Sequence, residues 1–419
     1  MLALGHTDNS YGALWRHLGC WRQSHVLCWW QDLSPAQRQS LLRQIKRLDL
    51  RLLQHLFRQT AREHAQVLPP AARIRPAPVK QIGASAHSPG PNELATELGN
   101  QALRSAEVAV VLAAAGQAIR LGFGPQGTFP IGDSGKSLFQ IHAEKILNIS
   151  RRSGVPLPLC IITSPENDAA TRQFFAQHAW FGLDRQQVSY VQQGTMPALD
   201  RQTGKLLLAE KHRLATNPNG RGGVLQALAS GGRLDDLRQR GIRYLFYCQL
   251  DNPLVKVADA EYLGLHIASA AEMSLKVVRK CRLQENLDVL AEVDGKIQLI
   301  EHNELPRQLA QRTDARGELE FWAGSIGVHI LNVSLLNRLA AGQSVLPYRR
   351  VIRKVRYLDE SGKLVTPSEP NAMRFKMHIG DALPLARGVL AVETPRGEEF
   401  EPPLAPPQKT RPPAYIGMS

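Results

Sequence analysis

No stretch of this 419-residue chain approaches the ~18 consecutive apolar residues of a membrane-crossing helix, and no basic segment leads into an apolar core near residue 1. Neither a membrane span nor a secretion signal is expected, and a cytoplasmic protein is the default. Cysteine is sparse. Cys20, Cys28, Cys160, Cys248 and Cys281 are scattered without C-x-x-C spacing, and five is an odd number, so a complete disulfide framework is not expected. Acidic residues are the minority charge, 37 against 51 basic ones, for a net charge of +14. Such a balance raises nucleic-acid binding. Against it, no basic block is interleaved with aromatics, and no helix-turn-helix or zinc-finger spacing is present. A basic nucleic-acid-associated protein is therefore the minor alternative, and a substrate carrying several phosphates accounts for part of the charge. There is no internal repeat. A content of 43% hydrophobic and 21% charged residues is ordinary for a soluble globular enzyme and excludes fibrous or disorder-dominated classes.

Along the chain, residues 25–60 are helical by period. Ser34-Pro35 supplies an N-cap with proline at the first helical position, and Leu41, Leu42, Ile45, Leu48, Leu52, Leu53 and Leu56 recur on one stripe. A Pro/Ala-rich stretch, 67–91, reads as a linker or an extended wrap. From about Asn92 to Arg279 apolar strand patterns alternate with helical ones, the signature of a doubly wound parallel sheet. Residues 273–336 are richer in strands and carry a hairpin turn at Asp294-Gly295. Proline rises again toward the end, and 401–419 reads as a poorly ordered tail.

The densest information lies between Glu107 and Gly132, EVAVVLAAAGQAIRLGFGPQGTFPIG, where a buried-type strand runs into a long turn of small residues. Ligands bind beyond the carboxyl ends of parallel strands, so this turn is expected to hold phosphate. Residues 122–127, GFGPQG, match the dinucleotide fingerprint G-x-G-x-x-G in letters only. The match begins several residues after the strand, Pro125 offers no amide, and Pro130 follows, so no helix opens there.

The turn instead resembles the signature of the UDP-sugar pyrophosphorylases, L-A-G-G-Q-G-T-R-L-G followed by P-K-G. Gly116, Gln117, Arg120, Leu121, Gly122, Pro125 and Gly127 match; Ala115 and Ala118 stand at glycine positions, Ile119 at threonine and Gln126 at lysine. Collinear matches extend from about residue 25 to 403. They include Gln193, the 217–223 turn NPNGRGG, 247–259 YCQLDNPLVKVAD, Lys280, Glu285, Glu301 and Glu304, 324–329 GSIGVH, 370–376 PNAMRFK, Asp381, Arg396, Glu399 and Phe400.

The resemblance implies an α/β protein. Its parts are a helical N-terminal region (1–66), the linker (67–91), a Rossmann-like, GT-A-like nucleotidyltransferase core with a mixed sheet (92–340), a small C-terminal region (341–400) and the tail. It implies a uridylyltransferase that forms UDP-sugar and pyrophosphate from UTP and N-acetylglucosamine-1-phosphate or glucose-1-phosphate; a weakened or inactive UDP-sugar or UTP binder is the alternative, motivated by Ala115, Ala118, Gln126 and Ser325. By that resemblance Arg120, Arg374 and Asp251 serve catalysis, with Asp251 holding Mg2+. Ala115, Gly116, Gln126, Gln193 and Gly220 meet the nucleotide, Gln193 through uracil. Gly222, Asn252, Glu301 and Ser325 meet the sugar. The partners implied are the small-molecule substrates alone, with no membrane, and nothing fixes the oligomeric state.

Overall fold

The computed structural model describes residues 11–59, 71–81, 92–116, 125–131, 134–230, 232–342 and 346–400. The chain divides into two compact units that are not contiguous in sequence: residues 1–68, 194–223 and 346–379 form one, and 69–193, 224–345 and 380–419 the other.

The larger unit is built on one mixed sheet. In chain order its strands are β1 Ile74–Pro76, β2 Lys80–Gln81, β3 Val108–Ala113, β4 Leu159–Thr163, β5 Val188–Gln192, β6 Tyr244–Gln249, β7 Met273–Arg279, β8 Val289–Val293, β9 Lys296–Ile300, β10 Ala323–Asn332 and β11 Val389–Glu393. They lie in the order β2-β11-β7-β10-β6-β3-β4-β5, with β8 pairing β1, β9 and β10 beside that path. The alternating pattern is recovered where β6, β3, β4 and β5 run parallel. Beyond that parallel run β10 is antiparallel to both β6 and β7, so the sheet is mixed, as the resemblance implies. Val108–Leu112 and Leu159–Thr163 are buried throughout, as continuous β-branched and apolar strands covered on two faces should be. Within the Pro/Ala-rich stretch, β1 and β2 add to β8 and β11, in line with an extended wrap. The hairpin turn falls at Asp294-Gly295, both at positive φ, joining β8 to β9. The helix Leu138–Ser153 follows β3's loop; the Ser137 hydroxyl caps it by accepting from the Gln140 amide at 3.2 Å, and Gly154 ends it at φ 75°.

In the smaller unit the leader is not one helix. It has helices Tyr11–Gly19, Pro35–Lys46 and Leu50–Arg58, with 3-10 turns at Ser24–Leu27 and Trp30–Asp32. Ser34 and Gln37 form a full capping box at Pro35. The break comes at Asp49, whose carboxylate accepts from the Leu52 amide at 2.8 Å and so caps a new helix, an alternative that helical periodicity does not register. From the stripe, Leu41, Ile45, Leu53 and Leu56 are buried with Met196, Leu199, Leu206, Met373 and Phe375. The strands Leu199–Asp200, Ala372–Met377 and Tyr348–Arg353 make a second, antiparallel sheet. This pairing joins segments far apart in sequence, and it is why contiguous boundaries at 92–340 and 341–400 do not follow the compact units. Residues 401–419 lie outside the described residues.

Candidate active site

In the larger unit the carboxyl ends of four neighbouring parallel strands emerge along one edge of the sheet: β6 at Gln249, β3 at Ala113, β4 at Thr163 and β5 at Gln192. Beyond β3 the chain passes through Ala115, which is buried, and Gly116, which is exposed. Ala115 is not among the residues at positive φ, so its methyl is carried without left-handed strain at a position where the resemblance has glycine. Arg120, Ala118 and the rest of 117–124 lie outside the described residues. Gln126 lies in the 3-10 turn Gln126–Thr128.

Asn167 holds the root of this loop. Its Nδ2 donates to the carbonyls of Ala114 at 2.8 Å and Gly116 at 3.4 Å, and its Oδ1 accepts from the Ser164 amide at 2.7 Å. Sequence reasoning passed over it, although Ser164-Pro165 followed by Asn167-Asp168 is a helix-start signal that marks the turn. Gln193 is anchored next to it: its amide donates to the Thr163 carbonyl at 2.7 Å, and the residue is 4% exposed. Beside them Asp168 accepts from the Thr163 hydroxyl and from Arg172, whose guanidinium lies 4.4 Å from the Tyr190 ring centroid.

Past β6, Asp251 is half-buried and Asn252 buried. The Asn252 amide is occupied at both ends, Nδ2 donating to the Glu399 carbonyl at 2.8 Å and Oδ1 accepting from the Leu254 amide at 3.2 Å. The strand beneath carries no reactive thiol, since burial pushes Cys248 up to about 12. Ser325, on β10, donates its amide to the Asp288 carbonyl at 2.8 Å, and its hydroxyl accepts from the Gly327 amide at 3.3 Å. Val289 lies opposite both Gly324 and Ile300, which brings Ser325 and half-buried Glu301 to the same end of their strands. Glu285 is paired with Arg396. The structure thus gathers Ala115, Gly116, Gln193, Asp251, Asn252, Ser325 and Glu301 in one unit.

Gly220, Gly222 and Arg374 belong to the other. There the Met377 amide donates to Asn219 and the Gly222 amide to the Met377 carbonyl, at 2.7 and 3.0 Å, so the 217–223 turn runs against strand Ala372–Met377. Gly220 sits at φ 89°, and a Cβ on it would stand 2.4 Å from the Met377 carbonyl oxygen. Glycine is therefore demanded by the chain's own approach. Gly222 is similarly crowded, a Cβ there meeting His378 and Met377 at 2.9 Å. Arg374 is half-buried, its Nε donating to Asn217 Oδ1 at 2.5 Å. Burial, with Arg353 beside it, lowers its pKa from the usual arginine value; the group stays a cation.

Among the described residues no three His, Cys, Asp or Glu side chains converge to cage a metal unaided. Asp251 fits a different arrangement. Its carboxylate makes no hydrogen bond or ion pair among the described residues, and magnesium is commonly held by one or two carboxylates together with substrate phosphates.

A family model described as UTP–glucose-1-phosphate uridylyltransferase matches residues 53–403. UDP-N-acetylhexosamine pyrophosphorylase-like protein 1 of Xenopus tropicalis is 36% identical over 397 residues, covering 91% of this chain and 77% of its own. UDP-N-acetylglucosamine diphosphorylase 2 of Arabidopsis thaliana is 33% identical over 414 residues, covering 94% and 80%. The fold is similar to that of the uridine diphosphate N-acetylglucosamine pyrophosphorylase from Trypanosoma brucei, with a TM-score of 0.81, 24% identity, and 97% and 83% of the two chains covered.

Proposed function

The chain belongs to the UTP–glucose-1-phosphate uridylyltransferase family, a family of nucleotidyltransferases, and from that premise we propose that it joins UTP to an N-acetylhexosamine-1-phosphate in preference to glucose-1-phosphate. The preference is supported by the names of the relatives at 33–36% identity, which are N-acetylhexosamine and N-acetylglucosamine enzymes. A phosphate oxygen of the sugar-1-phosphate attacks the α-phosphorus of UTP. The bond from that phosphorus to the bridging oxygen breaks, and pyrophosphate leaves with the electron pair. Such a transfer needs mainly positioning and charge neutralisation.

The observation that carries the reading is the row of adjacent parallel strand ends bearing the Ala114–Gly116 root, Gln193 and Asp251, the place where a doubly wound sheet binds nucleotides. It also supports the finer reading of a Rossmann-like, GT-A-like core. In this account Gln193 offers a donor and an acceptor to the uracil edge. Asp251 would hold Mg2+, which when bound neutralises phosphate charge. Arg374 supplies a fixed cation for phosphate, with Arg120 and Gln126 on the loop. In the larger unit Glu301 and Ser325 are assigned to the sugar, with Asn252 shaping the turn after β6; Gly222 is assigned to the sugar by the resemblance. Measuring pyrophosphate release with UTP, Mg2+ and a panel of sugar-1-phosphates tests it. Release with N-acetylglucosamine-1-phosphate above that with glucose-1-phosphate is expected. Binding of UDP-sugar without release would instead establish an inactive binder.

A further inference from the structure

Between the end of β6 and the helix Ala260–Ala268 lies a segment, 250–257, with neither helix nor strand, and Asp251 stands on it. Because the Asp251 carboxylate makes no hydrogen bond or ion pair of its own among the described residues, the backbone beneath must set its direction. Two elements from distant parts of the sequence hold that backbone. From the helix Leu138–Ser153, Lys145 Nζ donates to the carbonyls of Pro253 at 2.5 Å and Val255 at 2.8 Å, and His142 Nε2 donates to that of Leu250 at 3.0 Å. From the far end of the chain, Glu399 accepts on its carbonyl from Asn252 and on its carboxylate from the Lys256 amide, at 2.8 and 3.5 Å.

Glu399 is itself fixed. It is 1% exposed, and its carboxylate receives Lys276 Nζ at 2.6 and 2.7 Å and the Thr394 hydroxyl at 2.6 Å. Lys276, 0% exposed, also reaches Asp259 at 2.8 Å. Buried ion pairs are often matched or bettered in stability by apolar groups of the same volume, so stability alone does not account for a lysine and a glutamate here. What a fully bonded polar cluster supplies is one geometry, and metal-binding side chains depend on such outer partners.

We propose that Lys145 and Glu399 are positioning residues that clamp the Asp251 turn and thereby set the place of the carboxylate that binds magnesium. The proposal rests on the uridylyltransferase reading. Its test uses the full chain and the variants Lys145→Met, which removes two carbonyl contacts and keeps most of the stem, and Glu399→Gln. Thr394→Val serves as a milder lesion of the Glu399 arm if Glu399→Gln does not fold. Manganese binding in the presence of UTP, followed by electron paramagnetic resonance, should weaken roughly 10–100-fold in Lys145→Met, the usual cost of losing an outer partner. Amide exchange across 250–257 should quicken in the same variants. The magnesium needed for half-maximal turnover should rise while the KM for UTP at saturating metal holds, a split that general loss of structure does not produce. Wild-type metal binding and exchange in both Lys145→Met and Thr394→Val would overturn the clamp, as would absence of manganese binding by the wild type. A wild type that binds manganese with UTP but releases no pyrophosphate would sink the enzymatic reading, leaving the clamp to be judged on metal affinity and exchange.

Discussion

Arg374 and Asp251 show how differently two candidate residues are prepared for charge. Arg374 is half-buried with one guanidinium nitrogen committed to Asn217, so its remaining donors are held in a narrow range of directions. Replacing it with alanine should lower turnover by roughly 10²–10³, the scale of one transition-state electrostatic contact. A kcat within error of wild type under saturating substrates would remove Arg374 from the phosphate site. Asp251 has no protein partner among the described residues, so Asp251→Asn removes charge without orphaning a neighbour. The variant should keep its melting temperature and lose magnesium-dependent turnover. Unchanged activity across a magnesium titration would reassign Asp251 to the turn itself.

The 217–223 turn and strand Ala372–Met377 behave as one element. The backbone of Gly220 at φ 89° lies so near Met377 that a methyl would fall 2.4 Å from a carbonyl oxygen. Gly220→Ala combines an unfavourable left-handed conformation with a backbone clash, each worth on the order of 1–3 kcal/mol. It is expected to lower the urea midpoint of unfolding, whereas Gly397→Ala, where an added methyl would meet nothing within 4 Å, should leave it nearly unmoved. Equal midpoints for the two would show that the close approach has slack. The same element explains why a glycine pattern that resembles a ligand-binding loop need not be read through ligand alone.

Two buried histidines tie the whole molecule's stability to pH. Burial holds His142 and His266 neutral, lowering each to about 4. In the unfolded chain they titrate near 6.5. Because the folded values are the lower ones, the unfolded state binds more protons between those pH values, and stability is lost as pH falls from about 6.5 toward 4. A melting temperature that declines through that window is expected, with a shallower decline in His142→Gln, which can still donate toward the Leu250 carbonyl. Identical slopes for wild type and variant would show that His142 does not contribute.

Local chemistry was enough for much of this protein. The Ser34-Pro35 N-cap, the Asp294-Gly295 hairpin and the apolar strand runs at β3 and β4 were legible because each depends on neighbours a few residues away. The collinear motifs likewise marked Gln193, Asp251 and Glu301, which the fold brings to strand ends. The rest depended on contacts between segments far apart in sequence. Nothing in the local pattern around Asp200 or Ala372 says that they pair, that β10 turns antiparallel to β6, or that Glu399 reaches Asn252 and Lys145 reaches Pro253. Sequence periodicity reports which face of a segment is apolar, whereas long-range pairing is chosen by the joint burial and hydrogen bonding of segments only the folded chain brings together. So the chemistry of the residues was written locally, and which backbone each leans on was decided by the tertiary structure.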